Sequence, residues 1–296
     1  MAISAKLVKE LREKTGAGLM DCKKALVEND GDLAKATDWL REKGISKAEK
    51  KASRIAAEGV AEVRIEGNKA IIFELNCETD FVAKNDNFKA LVKKIGDALI
   101  KADKKDTESA LEVDVDGKKL KDLLLEQTAT IGEKITFRRY DLIKKTDEQI
   151  FGSYVHMGGN IATLVVLNDG DKETAKNIAM HIAASNPMYI SRDDIADDYI
   201  AHEKEVLTRQ ALNENAESDK PKPENIIEKM VIGRLNKNFK EICLLSQPYV
   251  KNPDENVKNY LKSQGASIAL FKRLAVGEGI DKKEENFADE VRKQSS

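Results

Sequence analysis

Apolar residues in the first fifty positions recur at helical spacing. Leu7, Val8 and Leu11 share a helix face, Thr15-Gly16-Ala17-Gly18 interrupts it, and Met20, Ala25, Leu26 and Val27 lie on a second helix. Asn29-Asp30-Gly31-Asp32 supplies a stop and a new N-cap, and Ala34, Ala36, Trp39 and Leu40 carry a third helix to Gly44. The charged stretch 47–54 reads as a helical or flexible linker. From residue 57 the period falls to two. Residues 60–65 alternate as a half-buried strand, 66–68 turn, and 70–75 form a second, more buried strand, so the pair reads as a hairpin. The pattern predicts helices at about 87–101 and 118–130 and a strand at 134–140.

A second hairpin at 152–168 repeats the first at an offset of 92: Gly67-Asn68 meets Gly159-Asn160, Ala70 meets Ala162, Ile72 meets Leu164, and Leu75-Asn76 meets Leu167-Asn168. A helix follows again at 174–185, and later Phe271-Lys272-Arg273 matches Phe137-Arg138-Arg139. The repeat predicts an α+β fold in which two copies of a hairpin, helix, helix, strand unit each bury one sheet face under helices. The second copy carries an insertion at about 190–241. Ile195, Tyr199, His202, Val206 and Leu212 are placed on one helix, and Ile226, Ile227, Met230, Ile232 and Leu235 on a return helix beyond the Pro-containing turn, giving an antiparallel helical hairpin. The expected domains are 1–54, a helical docking domain; 55–148, a core N-subdomain; 149–282, a core C-subdomain with the hairpin; and 283–296, a C-terminal helix or tail.

Composition narrows the function. Of 296 residues, 50 are Lys or Arg and 52 Asp or Glu, a net charge of -2, which argues against a global electrostatic grip on nucleic acid. Thirteen Lys and Arg against nine Asp and Glu give residues 1–54 a local +4, which leaves -6 on the rest. No stretch approaches the roughly 18 apolar residues of a membrane span, and the charged N-terminus predicts no leader peptide. Three scattered cysteines, Cys22, Cys77 and Cys243, fit a reduced cytoplasm and burial as small hydrophobes. The chain has no GxxxxGK[ST] or GxGxxG phosphate loop, no GxSxG nucleophile turn and no HExxH. No catalytic residue, no metal and no cofactor is expected, and the chain reads as a non-enzyme. His156-Met157-Gly158-Gly159 resembles an oxyanion loop but lacks a serine nucleophile, and its glycines serve a hairpin turn. His181, on an apolar helix face, reads as a core or cap residue.

Comparing the two copies isolates residues 77–86, which the first copy adds between its hairpin and its helix. Thr79 or Asp80 can cap a short helix there, and Phe81 either tucks under its own loop or stands out as an interface anchor.

At this segment Asn76-Cys77-Glu78-Thr79-Asp80-Phe81-Val82 resembles the T-D-F-V signature of the bacterial elongation factor Ts family, the guanine-nucleotide exchange factors of elongation factor Tu. Residues 7–26, 131–139, 152–156, 178–185, 228–234, 246–250, 276–280 and 287–291 are similar to further family landmarks, in family order. The resemblance implies a three-helix, ubiquitin-associated-like N-terminal domain that docks on the nucleotide-binding domain of the partner through Arg12, Leu19, Met20 and Lys23. It implies a nucleotide-release wedge of Thr79, Asp80, Phe81 and Val82 beside the partner's Mg²⁺ site, and core contacts at Ile131, His156, Val250 and Lys251. The inserted hairpin would be the family's coiled coil. The expected partner is elongation factor Tu in its GDP-bound and nucleotide-free states, with no direct nucleotide binding, no membrane and no specific nucleic acid. Monomer and homodimer both stay open. Two departures are visible: the family's Met-Met pair is Leu19-Met20 here, a volume-conserving swap, and the turn after His156 is Met157-Gly158-Gly159-Asn160. A competing expectation is a ribosome- or RNA-associated protein using the +4 helical unit and the basic strand at 137–139.

Overall fold

The computed structural model describes residues 3–218 and 220–281, so the expected tail at 283–296 lies outside the described residues. The described residues form two compact units: one runs to Ile143 and takes in Val155–Ile161 and the described segment beginning at Leu274, and the other comprises Lys144–Tyr154 and Ala162–Arg273.

The first unit begins with α1 (Ala5–Thr15), α2 (Leu19–Glu28) and α3 (Leu33–Glu49). Ser4 caps α1 by accepting the Leu7 N–H, and Gly16, left-handed at φ 67°, stops it. Val8, Leu11, Cys22, Ala25, Leu26 and Ala36 form their shared core. Helix α3 continues beyond Gly44, because the Lys, Ala and Glu that follow are good helix formers without a proline among them.

Strands β1 (Glu58–Glu66) and β2 (Lys69–Cys77) pair antiparallel from Glu66 opposite Lys69 to Glu58 opposite Cys77. There follow α4 (Asp80–Lys84), α5 (Asp86–Ala102), α6 (Thr107–Leu111), the short strands β3 (Asp114–Val115) and β4 (Lys118–Lys119), α7 (Leu120–Ile131) and β5 (Thr136–Lys144). The sheet order is β1-β2-β5. Phe73, Phe88, Leu91, Ile95, Leu99, Leu120 and Phe137 fill the core beneath it. Each such side chain contributes about 1.5–3 kcal/mol by leaving water. The β3–β4 hairpin was not expected, although Asp116 and Gly117, both at positive φ, make the Asp-Gly turn that favours one.

A fully buried carboxylate closes this unit. Glu74 accepts hydrogen bonds from Arg138 Nη1 at 3.2 Å, Arg139 Nε at 2.5 Å, Asn76 Nδ2 at 2.9 Å and the Gly277 N–H at 2.9 Å. The same arginines donate to the carbonyls of Glu278 and Ala275. The basic strand at 137–139 is therefore internal wiring. Its guanidinium groups are committed to Glu74, which takes from the RNA-binding expectation one of its two supports.

The second unit contains β6 (Gln149–His156), β7 (Ile161–Asn168), α8 (Lys172–Ser185), α9 (Asp197–Ala216), α10 (Glu224–Ile242), β8 (Pro248–Tyr249), β9 (Asn252–Asn256), α11 (Val257–Ser263) and β10 (Ser267–Ala275), the sheet strands extending slightly past its limits. The order β10-β7-β6 again puts the second hairpin strand in the centre, as the internal repeat requires. Gly152 lets α8 lie close on the sheet, since a Cβ there would sit 2.3 Å from the Ala175 backbone. In the inserted hairpin Leu207 and Ala211 of α9 pack with Ile227, Val231, Leu235 and Phe239 of α10. That seam is a single i, i+4 row on α10, so Leu212, Ile226 and Ile232, which lie on the expected helices, face solvent. Ile195 joins the cluster from before α9 rather than from within it. Cys22, Cys77 and Cys243 are all free thiols and buried.

Candidate functional site

The connection from β2 to α5 contains the added helix α4, whereas β7 reaches α8 through residues 169–171 alone. Thr79 is the N-cap of α4 and accepts the Val82 N–H at 3.3 Å. No residue of α4 is fully buried. Val82 and Ala83 lean on the core, while Phe81 points away from it and is 82% exposed. An aromatic ring so exposed has no role in the fold of the isolated chain, and burying it against a partner would gain affinity. Asp80 pairs with Lys84 at 2.6 Å. That hydrogen bond holds the Asp80 carboxyl below the usual carboxylate range and raises Lys84, so both are charged at neutral pH.

The approach to α4 is firmly held. Glu133 Oε2 accepts the N–H groups of Glu78 and Thr79, both at 3.0 Å, and Oε1 accepts the Thr79 hydroxyl at 2.6 Å. Glu78 in return accepts the Lys134 N–H at 2.6 Å and faces Arg54 at 3.3 Å. Cys77 donates its thiol to the Thr79 carbonyl at 3.2 Å, and burial pushes that thiol up to about 12, so it stays protonated. Sequence reasoning did not single out Glu133. Its partners lie more than fifty residues away, and only its place within the 131–139 landmark pointed to it.

Helix α2 is apolar on two faces. Cys22, Ala25 and Leu26 pack inward, while Leu19 (53% exposed), Met20 (72%) and Val27 face solvent. The exposed apolar side chains lie on a helix already packed on its other side, so they are open to a partner. Lys23 is exposed beside it, and Arg12 is exposed on α1. Ile131 ends α7 half-buried against the core. His156 ends β6, and its carbonyl accepts the N–H groups of Gly159 and Asn160 at 3.1 Å, giving a tight turn with Gly158 and Gly159 at positive φ. That turn presents Met157, 72% exposed, a residue not foreseen as part of the site.

In the second unit Val250, 47% exposed, lies at the β8–β9 turn, and Lys251 donates to Asn177 at 2.6 Å. Val250 stands on a buried polar support. Its N–H donates to His181 Nδ1 at 3.2 Å, so Nε2 carries the ring proton and donates to Gln247 Oε1 at 2.9 Å. Gln247 Nε2 donates to the carbonyls of Ser185 and Glu241. His181 is thus a core residue. Burial lowers its pKa below the ordinary value of 6.5. In that sense the unfolded chain binds the proton first, so the contribution of neutral His181 to stability is complete above about pH 6.5 and declines as pH falls below it. The urea midpoint is expected to drop between pH 7.5 and 5.5, and His181→Asn should flatten that dependence. Equal slopes for both proteins would refute the assignment.

Among the described residues no group of His, Cys, Asp and Glu is placed to hold a metal ion. No described helix is long and apolar enough to cross a membrane. A groove of about 480 Å³ is lined by Trp39, Leu40, Leu125 and Ala129 among others, and by none of the candidate contact residues. The candidate residues that are exposed comprise one aromatic on a pinned turn, an apolar helix face and two hairpin turns. The family model described as Elongation factor TS matches residues 78–278, more than half of the chain.

Proposed function

This chain belongs to the elongation factor TS family and is a translation elongation factor, and from that premise we propose that it binds elongation factor Tu and promotes release of GDP so that GTP can replace it. The reading is carried by Phe81, an 82% exposed aromatic on a single helical turn whose approach is fixed by Glu133. The apolar outer face of α2, with Leu19, Met20, Lys23 and the neighbouring Arg12, would dock the partner's nucleotide-binding domain. Thr79, Asp80, Phe81 and Val82 would enter beside its Mg²⁺ site, with Thr79 and Val82 shaping the turn that presents the other two. Ile131, His156, Val250 and Lys251 would supply further contacts. The work belongs in the cytoplasm, and this chain makes and breaks no covalent bond.

The physics of exchange needs only displacement. A GTPase holds its nucleotide through a phosphate-cradling loop and a Mg²⁺ ion bridging phosphate oxygens. Mg²⁺ requires near-octahedral geometry, so small shifts of the elements carrying its ligands weaken it. A rigid ring driven between helices by burial produces such a shift. The carboxylate of Asp80, once it releases Lys84, can accept hydrogen bonds from partner backbone at the displaced site.

Linkage sets the test. If this chain weakens GDP binding by some factor, GDP weakens binding of this chain by the same factor. Calorimetric titration is expected to show tight binding to nucleotide-free elongation factor Tu and weaker binding as GDP is added. Equal affinity for the GDP-bound and empty forms would exclude an exchange role.

A further inference from the structure

We infer that Glu133 is the positioning residue of the exchange surface: its carboxylate fixes the direction in which Phe81 leaves the chain. The inference rests on the reading of Phe81 as the wedge.

A helix of one turn does not hold itself, because fixing its dihedral angles yields too few hydrogen bonds to offset the lost freedom. The core holds α4 only in part, through Val82 and Ala83, since none of its residues is fully buried. Glu133 adds the hold that these leave incomplete. One carboxylate gathers the last two N–H groups before the helix and the hydroxyl of its N-cap, and that same Thr79 oxygen accepts the Val82 N–H inside the first turn. Bonds to an ionised acceptor are about twice as strong as neutral ones, and two adjacent N–H groups converging on one oxygen resist rotation of the connection. The clamp is reciprocal, because Glu78 accepts the N–H of Lys134, the neighbour of Glu133. The exposed ring is therefore held ready, and the ordering that a loose loop would need on binding is already done.

Glu133→Ala is expected to lower the rate of fluorescent GDP release at saturating chain by about 10- to 100-fold, the scale on which misplacement by an ångström acts. The half-saturating concentration should change far less, because α2 and the Val250 turn still dock. Glu133→Gln keeps an oxygen for the two N–H groups and should restore most of the rate. Glu133→Asp withdraws the charge by one methylene and should give an intermediate rate, which keeps the test open should the alanine variant not fold. In a Phe81→Ala background Glu133→Ala should bring no further loss. An additional loss there would mark Glu133 as a general stability residue and overturn the inference. A wild-type rate for Glu133→Ala beside an impaired Phe81→Ala would also overturn it, while leaving the wedge intact. Wild-type rates for both variants would instead overturn the wedge itself.

Discussion

Phe81→Ala is expected to reduce stimulated GDP release by roughly 30- to 1000-fold, corresponding to about 2–4 kcal/mol for an aromatic hot spot. The ring is 82% exposed in the free chain, so its removal costs the fold almost nothing. Circular dichroism and the urea midpoint should match those of the wild-type protein, and the whole effect should fall on the partner. That separation makes the variant informative. A loss of exchange with an unchanged fold assigns the ring to the partner's surface. Unchanged exchange would mean that the ring is an incidental exposed hydrophobe.

Glu74→Ala is expected to act in the opposite way, by destabilising the first unit by about 3 kcal/mol or more. Removing one member of a buried ion pair typically costs 3–5 kcal/mol, because the remaining charge is left without compensation. The two arginine side chains retain some exposure, 24% and 29%, which puts the expectation near the lower end. Two further groups lose their acceptor, Asn76 Nδ2 and the N–H of Gly277. Gly277 cannot readjust freely, since a Cβ at that position would lie 2.2 Å from the Ala57 carbonyl. The urea midpoint should fall markedly, and early proteolysis should occur near residues 274–281. A midpoint within error of the wild-type value would show that the arginines find solvent easily and that Glu74 is no keystone.

Much of the fold was legible because periodicity is local. The two hairpins, the helices that follow them and the helical insertion all announce themselves within windows of ten to twenty residues. The pattern marked residues 70–75 as the more buried strand of the first hairpin, and β2 and its counterpart β7 are the central strands. What escaped was either short or distant. Strands β8 and β9 contain Pro248 and Pro253 among polar residues, and nothing in that composition suggests a hairpin. The sequence placed the two helices of the insertion but not the seam between them, because Ile226, Ile227, Val231 and Ile232 are all apolar and only packing distinguishes them. Arg138 and Arg139 looked like a basic patch because their partner, Glu74, lies more than sixty residues earlier.

The candidate site divides along the same line. The excess length at 77–86 could be found by comparing the two copies, and Leu19 and Met20 by the resemblance. Whether Phe81 was tucked in or exposed depended on tertiary structure. The role of Glu133 was invisible for the same reason, since a carboxylate clamp across more than fifty residues leaves no local pattern.

The central claim is most directly tested by stopped-flow release of fluorescent GDP from elongation factor Tu, with excess unlabelled nucleotide and increasing amounts of this chain. The release rate is expected to climb with concentration to a plateau far above the spontaneous rate. A rate that stays at the spontaneous value, at concentrations where titration shows the two proteins fully bound, would contradict it.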